Sequence, residues 1–427
     1  MPSPPFPVKP GTPAPRMRCL WLTRKYPRPT NSGELIYSNG LIRSFARSGV
    51  DLTVLAHDND EKPVGDGSES SAHVDEDEVK WRLGTPALGS RLASLFTRYP
   101  GDSWRLKNGG PEKALVDALA SETWDVILID HAALGWALGP IRDQRRRAGI
   151  KGDPVIVYIS HNHEARVRRE VARHSKAALP RRLALHLDAE KYARQEEALC
   201  READLVTAIT GAEVDAYRDQ FPRQRYLCLT PGYEGPFFPE RTITPDTPRR
   251  VVMSGSFEWI AKRINLERFL EQAAGPLTEA GIELQIVGKT DENFRREMTI
   301  RFPGVDFVGR VPEMSPYLLD ARMGLIVEEF GGGFKLKTLE YLFHGLPLAG
   351  LDQAVEDLPL RSPGHLLLAP NVPALVSGIL PLIDDLERLN AMRTQAYAIC
   401  REAFRWEDRG RRLHEAILEL RGIALAG

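Results

Sequence analysis

The chain has 427 residues, 42% of them apolar, and a formal charge of −1. This length supplies ample core for two or more domains, and near-neutrality removes the basic field that a nucleic-acid-binding chain presents. Cys19, Cys200, Cys228 and Cys400 lack CxxC or zinc spacing, which fits a reduced, cytoplasmic compartment, and no apolar run reaches the length of a membrane span. Residues 1–16 are proline-rich, without the pattern of a signal peptide, and are expected to form a disordered tail. Residues 18–23 read as a short apolar strand, followed by a loop, YPRPTNSG, dense in turn formers and ending at Gly33. A helix over 34–48 places Leu35, Ser38, Leu41, Ile42 and Phe45 on one face, Gly49 ends it, and 51–56 is the next strand. This strand–loop–helix–strand order puts the Gly33 loop at the carboxyl end of the first strand, where open α/β sheets bind ligands.

Residues 57–80 are polar and acidic, without a helical or strand period. Their Asp75-Glu76-Asp77-Glu78 includes an Asp-x-Asp, but it follows no apolar strand and reads as a solvated charge run rather than a metal site. Aromatics between Trp81 and Trp104 are candidates to line an acceptor cleft. A helix over 111–121 and strands over 125–129 and 154–160 follow. The last strand delivers Ser160-His161-Asn162-His163-Glu164 at its carboxyl end, facing a crevice if the sheet is doubly wound. His161 and His163 lack a further Cys or His spaced to complete a zinc site; the plain alternative is a histidine that fixes its own loop. Seven cations between Arg166 and Arg182 stand against one acid, Glu170, on a helical region. They suit either an anionic membrane surface, with Val167, Val171, Ala172 and Leu179 as a modest apolar stripe, or a solvated helix paired with acids elsewhere. A strand over 205–209 and a helix capped by Thr210 lead to 227–229, which close a first domain over 17–229. Residues 230–249, rich in proline, form a linker.

A second domain is expected over 250–406. Its first strand, 250–254, ends in Gly255, with Lys262 and Arg263 at the start of the next helix; repeated strand-then-glycine pattern at Gly288 and Gly309 fits a second Rossmann-like sheet. Residues 330–350, FGGGFKLKTLEYLFHGLPLAG, then give glycine loop, helix, Gly345 stop and strand. Backbone N–H groups of such a loop can approach an anion, and the helix dipole favours negative charge there. Lys335 and Lys337 lie in the first helical turn, where that dipole disfavours lysine, so an external anion is expected. Glu340, one turn on, could accept from a hydroxyl beside it; phosphate plus hydroxyl reads as a nucleotide or nucleotide-sugar. From 371 onward the chain is helical, with 407–427 as the last helix.

The 330–350 run resembles the donor-site motif of retaining glycosyltransferases of the group 1, family-4 type, G-x-G-x-x-x-K-x-L-E followed by G-x-P. Gly331, Gly333, Lys337, Leu339, Glu340, Gly345 and Pro347 occupy it, while Gly332 stands where the better-known form has a first glutamate. The resemblance extends to the Gly33 loop, to His161, to Thr230-Pro231-Gly232-Tyr233 and to Gly255 with its following cations, where Ser256 replaces the family's arginine and Lys262 or, by its bidentate geometry, Arg263 takes its place. It implies an α/β GT-B fold of two Rossmann-like domains across a cleft, the last helix crossing back to the first. It implies transfer of a sugar from a nucleoside diphosphate to a hydroxyl acceptor (glycan, lipid-linked glycan, protein or small molecule), with retention and without a metal or other cofactor. The amides of Gly331, Gly332, Gly333 and Phe334, with Lys337 and Lys262 or Arg263, would meet the diphosphate; Glu340 would hold the ribose and His161 would reach the sugar. Two rivals are a GT-B-fold nucleotide-sugar 2-epimerase and a non-catalytic binding partner.

Overall fold

The computed structural model describes residues 16–30, 32–57, 72–84, 91–108, 110–148, 153–175, 178–258, 260–329, 333–355 and 357–422. Most of the proline-rich tail, Gly331 and Gly332 lie outside them. Within the described residues 14 strands form two sheets.

The first sheet draws on strands β1 (Arg18–Leu22), β2 (Asp51–His57), β3 (Ala72–Val74), β4 (Lys80–Gly84), β5 (Val126–Asp130), β6 (Val155–Ile159), β7 (Leu205–Ala208) and β8 (Tyr226–Cys228), in the order β3-β4-β2-β1-β5-β6-β7-β8. β3 runs antiparallel to β4 and the other pairs are parallel. β1, β5 and β6 are nearly continuous apolar runs, as strands covered by helices on both faces must be. The second sheet, from β9 (Arg250–Ser254), β10 (Glu283–Val287), β11 (Val305–Gly309), β12 (Met323–Ile326), β13 (Leu348–Leu351) and β14 (Leu367–Ala369), is parallel in the order β11-β10-β9-β12-β13-β14. The strand order reverses beside β1 in one sheet and beside β9 in the other, and the crevice at the carboxyl ends of such strands is where a doubly wound sheet takes ligand.

Two expectations need correction here. Residues 72–84 carry a β-hairpin, not a structureless insertion: β4 alternates buried Trp81 and Leu83 with more exposed neighbours, and pairs with β2. The acidic run is solvated only in part: Glu76 and Glu78 are exposed, whereas Asp75 and Asp77 are drawn in. Asp77 lies in the β3–β4 turn and accepts from Arg43 Nε (2.5 Å) and Arg47 Nε (2.9 Å), while Asp75 accepts from Trp81 Nε1 (2.9 Å). Both arginines extend from the end of α1 (Gly33–Ala46), so the run fastens the hairpin to that helix.

The final helix, α14 (Trp406–Leu420), packs on α1, and its Trp406, Leu413 and Ile417 share a core with Tyr37, Leu41 and Phe45 of α1. The fit depends on glycine. A Cβ on Gly40 would fall 2.2 Å from Trp406, one on Gly232 2.6 Å from the same ring, and one on Gly410 2.1 Å from the Ser44 carbonyl.

Candidate functional site

Helix α1 starts where Ser32 Oγ accepts from Leu35 N, a capping bond that satisfies one orphan first-turn donor. Gly33, the first helical residue, faces the second half of the molecule: a Cβ there would lie 3.3 Å from Leu336 Cδ1. Leu336 opens α11 (Leu336–Phe343), the helix after the glycine loop. Gly333, in that loop, has φ +77°, and a Cβ on it would sit 2.7 Å from Asn162 Oδ1. The loops after β1, β6 and β12 therefore meet at one place.

His161 is buried, and its Nε2 lies 2.5 Å from Asp130 Oδ1 at the carboxyl end of β5. Asp130 also accepts from Trp21 Nε1 (3.1 Å). Burial alone would lower the imidazole's pKa, but the Asp130 carboxylate outweighs it and holds His161 above its ordinary value. Asp130, in turn, is held below the usual carboxylate range despite burial, chiefly by His161. The ring stands edge-on to Tyr37 (5.1 Å between centroids). In this state the imidazole is engaged inward, and the groups of its loop that approach Gly333 are the Asn162 side chain and the His161 carbonyl. Beside the pair, Arg24 bonds Glu34 (3.2 Å) and His131 contacts Glu164 (3.5 Å), with His131 at φ +99°. A strained non-glycine backbone at a strand end is a feature of functional loops.

In α5 (Glu164–His174), the first-turn N–H groups of Glu164 and Ala165 donate to the buried Glu196 carboxylate at 2.9 and 2.8 Å. That carboxylate comes from the middle of α6 (Leu179–Glu202), which fixes the angle at which the His161 loop leaves the sheet.

On the opposite wall, Lys337 is largely, though not fully, buried. It is ion-paired with Glu328, just beyond β12, and donates to the Ser254 carbonyl at 3.2 Å. Burial opposes its charge, and Glu328 more than restores it, raising the pKa. Glu328 Oε2 is buried and has no hydrogen-bond partner among the described residues. Lys262 is close enough to Lys337 that, after burial, the Lys337 charge is the main influence lowering its pKa. Of the two candidate cations beyond Gly255, the structure brings Lys262 to the site. Arg263 lies further along the same helix: its Nε donates to the Phe257 carbonyl (2.9 Å) and its guanidinium covers the Phe294 ring at 5.0 Å. Gly255 sits at the end of β9, where Gly288 approaches so closely that a Cβ on Gly288 would lie 1.8 Å from the Gly255 carbonyl.

Leu339 is fully buried, its side chain part of the second core. Glu340 is half-buried, raised by burial against the pull of Lys337, and its carboxylate makes no hydrogen bond or ion pair among the described residues. Phe334 packs on Phe404, 5.6 Å between centroids, and Lys335 donates to the Gly333 carbonyl (3.0 Å). Asp130, Asn162 and Glu328 escaped the sequence reading. Each follows or ends an apolar strand, a signal present for Asp130 and Glu328, but only the fold shows which charges face each other. Among the described residues no group of three or more His, Cys, Asp or Glu could hold a metal ion.

Two doubly wound sheets, with cations, a glycine loop and a carboxylate gathered between their strand ends, define a nucleotide-sugar-dependent glycosyltransferase of GT-B fold. Residues 32–232 match the model of the glycosyl transferase 4-like domain and residues 248–385 that of the glycosyl transferases group 1. The chain belongs to the group 1 (family-4) glycosyltransferases. No curated protein sequence matches it significantly. Among solved structures it is similar to sucrose-phosphate synthase from Thermosynechococcus elongatus (16% identity, TM-score 0.65, covering 95% of this chain and 100% of that one). It is also similar to Anabaena HepE in complex with UDP-glucose (14%, 0.60, 95% and 100%) and to a UDP-forming α,α-trehalose-phosphate synthase from Burkholderia vietnamiensis (12%, 0.62, 95% and 97%). At these identities the likeness establishes the fold.

Proposed function

We propose that this chain transfers a sugar from a nucleoside diphosphate to a hydroxyl acceptor with retention of configuration, using no metal ion. The observation that carries this reading is the pairing of Lys337 with Lys262 beside a glycine loop that meets the loop of the opposite sheet. The departing diphosphate needs positive charge where negative charge develops. Lys262, Lys337 and the loop amides supply it in a buried, low-dielectric site, with Glu340 free to accept from a ribose hydroxyl. Departure of the diphosphate breaks the anomeric C–O bond; its freed oxygen takes the acceptor's proton as the acceptor oxygen bonds the same carbon. His161, held by Asp130, orients the Asn162 loop against the glycine loop. The acceptor, a glycan, lipid-linked glycan, protein or small molecule, enters on the first-sheet side. HepE is solved with UDP-glucose, which makes a UDP-sugar the first donor to try. Four free cysteines, three of them buried, suit a reducing, cytoplasmic setting.

A thermal-shift screen over UDP-, GDP-, ADP- and dTDP-sugars tests donor use, because ligand at a hundred times its Kd stabilises by about 2.7 kcal/mol. Release of nucleoside diphosphate that depends on added acceptor and persists in EDTA is the expected outcome. Turnover of the sugar without acceptor would indicate an epimerase, and binding without turnover a non-catalytic partner. EDTA inhibition reversed by magnesium would remove the metal-free scheme.

A further inference from the structure

Singly exposed apolar side chains are normal on a protein surface, whereas a contiguous set marks an interaction site. The large apolar side chains most exposed among the described residues include Leu179 (66%), Leu183 (61%) and Leu187 (45%). They recur every fourth residue along the first turns of α6, so they lie on one face of that helix. Beside them is Phe96, 92% exposed, at the end of a 3-10 turn (Arg91–Phe96). That turn is tied to α6 next to Leu187: Lys191 Nζ donates to the carbonyls of Ser94 (2.6 Å) and Leu95 (3.1 Å), and Gly101 N donates to Asp188 (2.7 Å).

Charge flanks the leucine face. Arg182 falls at its edge and Arg181 on the polar side of the helix; both are exposed, as is Arg173 on α5, and none of the three has an acidic partner among the described residues. The nearby acids are already engaged: Glu190 with Arg169 (2.8 Å), Glu170 with Arg166 (3.4 Å), and Asp188 with the Gly101 amide. Of the apolar residues suggested by sequence for this region, Leu179 joins the patch and the other three do not. Ala172 is buried and Val167 and Val171 are half-buried, because that face of α5 packs on α6.

We propose that the Leu179–Leu183–Leu187 face of α6, with Phe96, seats on an anionic lipid bilayer, the unpaired Arg173, Arg181 and Arg182 meeting the headgroups. Leucines flanked by unpaired arginines on a helix lying along the surface are what an interfacial helix needs: apolar side chains for the acyl boundary and cations for anionic lipid. No helix among the described residues is long and apolar enough to cross a membrane, so the contact is peripheral. Leu187 precedes Glu196, the residue that anchors the His161 loop, by about 14 Å of helix axis at 1.5 Å per residue. The bilayer would therefore lie within reach of the first-sheet side of the crevice.

The full chain, floated with vesicles of phosphatidylcholine alone or mixed with about one-third phosphatidylglycerol, tests this surface without requiring turnover. Binding to the anionic vesicles is expected, weakened but not abolished by high salt. Leu183→Glu/Leu187→Glu should lower the bound fraction about tenfold at any salt, and Arg181→Glu/Arg182→Glu about tenfold at low salt. Leu183→Ser/Leu187→Ser serves as a milder pair, and an unchanged thermal midpoint confirms each fold. Wild-type chain that ignores anionic vesicles at low salt, or leucine variants that bind as wild type, would overturn the assignment. So would concentration-dependent self-association that the leucine changes abolish, since that gives the face to a second copy of the chain.

Discussion

Lys337 is a largely buried cation with a largely buried counter-ion, and its removal therefore does two things at once. Truncation leaves Glu328 uncompensated, a loss of about 3 kcal/mol for a buried pair, and also deletes a phosphate contact. Glu328→Gln in the same chain removes the stranded charge. Lys337→Met should therefore lower stability by roughly that amount, the double variant should regain most of it in urea unfolding, and neither should bind the donor nucleotide. A double variant with wild-type nucleotide affinity would dismiss Lys337 from the site. The His161–Asp130 pair makes a separate prediction. Because the folded His161 pKa is raised above 6.5, the stability it contributes is complete below that value and is lost as pH rises through the folded pKa; because Asp130 is depressed below 3.8, its share is lost only as pH falls through its own folded value. The His161 ring resonance should titrate above 6.5 by NMR and move below it in Asp130→Asn, where burial and Arg24 outweigh Glu34. An unmoved midpoint would show that Asp130 does not hold the charge. At this scale the sequence showed residue types but not partners: the lysine spacing of the motif was plain, while the choice between Lys262 and Arg263 turned on whether a guanidinium finds a ring to cover.

The strands of both sheets were legible because a strand covered on both faces must be apolar almost throughout, and β1, β5, β6 and β12 are. β3 and β4 were not, because they lie toward an edge and the charged residues that break the apolar run of β4 are ion-paired, Lys80 with Asp51 and Arg82 with Glu122. Helix boundaries shifted by a few residues; the helix that ends the chain starts at Trp406, earlier than its apolar period suggests. That tryptophan is the contact that matters for α14. It is 6% exposed and wedged against Gly40 and Gly232, so Trp406→Ala should cost about 3–5 kcal/mol, as for other large core truncations. Loss of cooperativity in urea unfolding, with two transitions replacing one, is the expected sign that α14 joins the halves. A stable, single-transition variant would mean the helix is only an ornament on the surface of α1.

The whole molecule was legible as two glycine-punctuated α/β halves, because the strand–glycine–helix order repeats; their contact surface was not, because it depends on close approach at Gly33, Gly333 and Gly40, which no local period encodes. One feature of that architecture bears on how the chain is made. The core that Tyr37, Leu41 and Phe45 form is completed only by Trp406, Leu413 and Ile417. At roughly 5–20 residues per second of synthesis, on the order of ten to forty seconds separate the emergence of Leu229, where the first half otherwise ends, from that of Trp406. During that interval the earlier half carries an open apolar groove along α1 while the later half is still being translated. The half that leaves the ribosome first is thus the last to be finished, and the groove along α1 is where a chaperone would find the nascent chain.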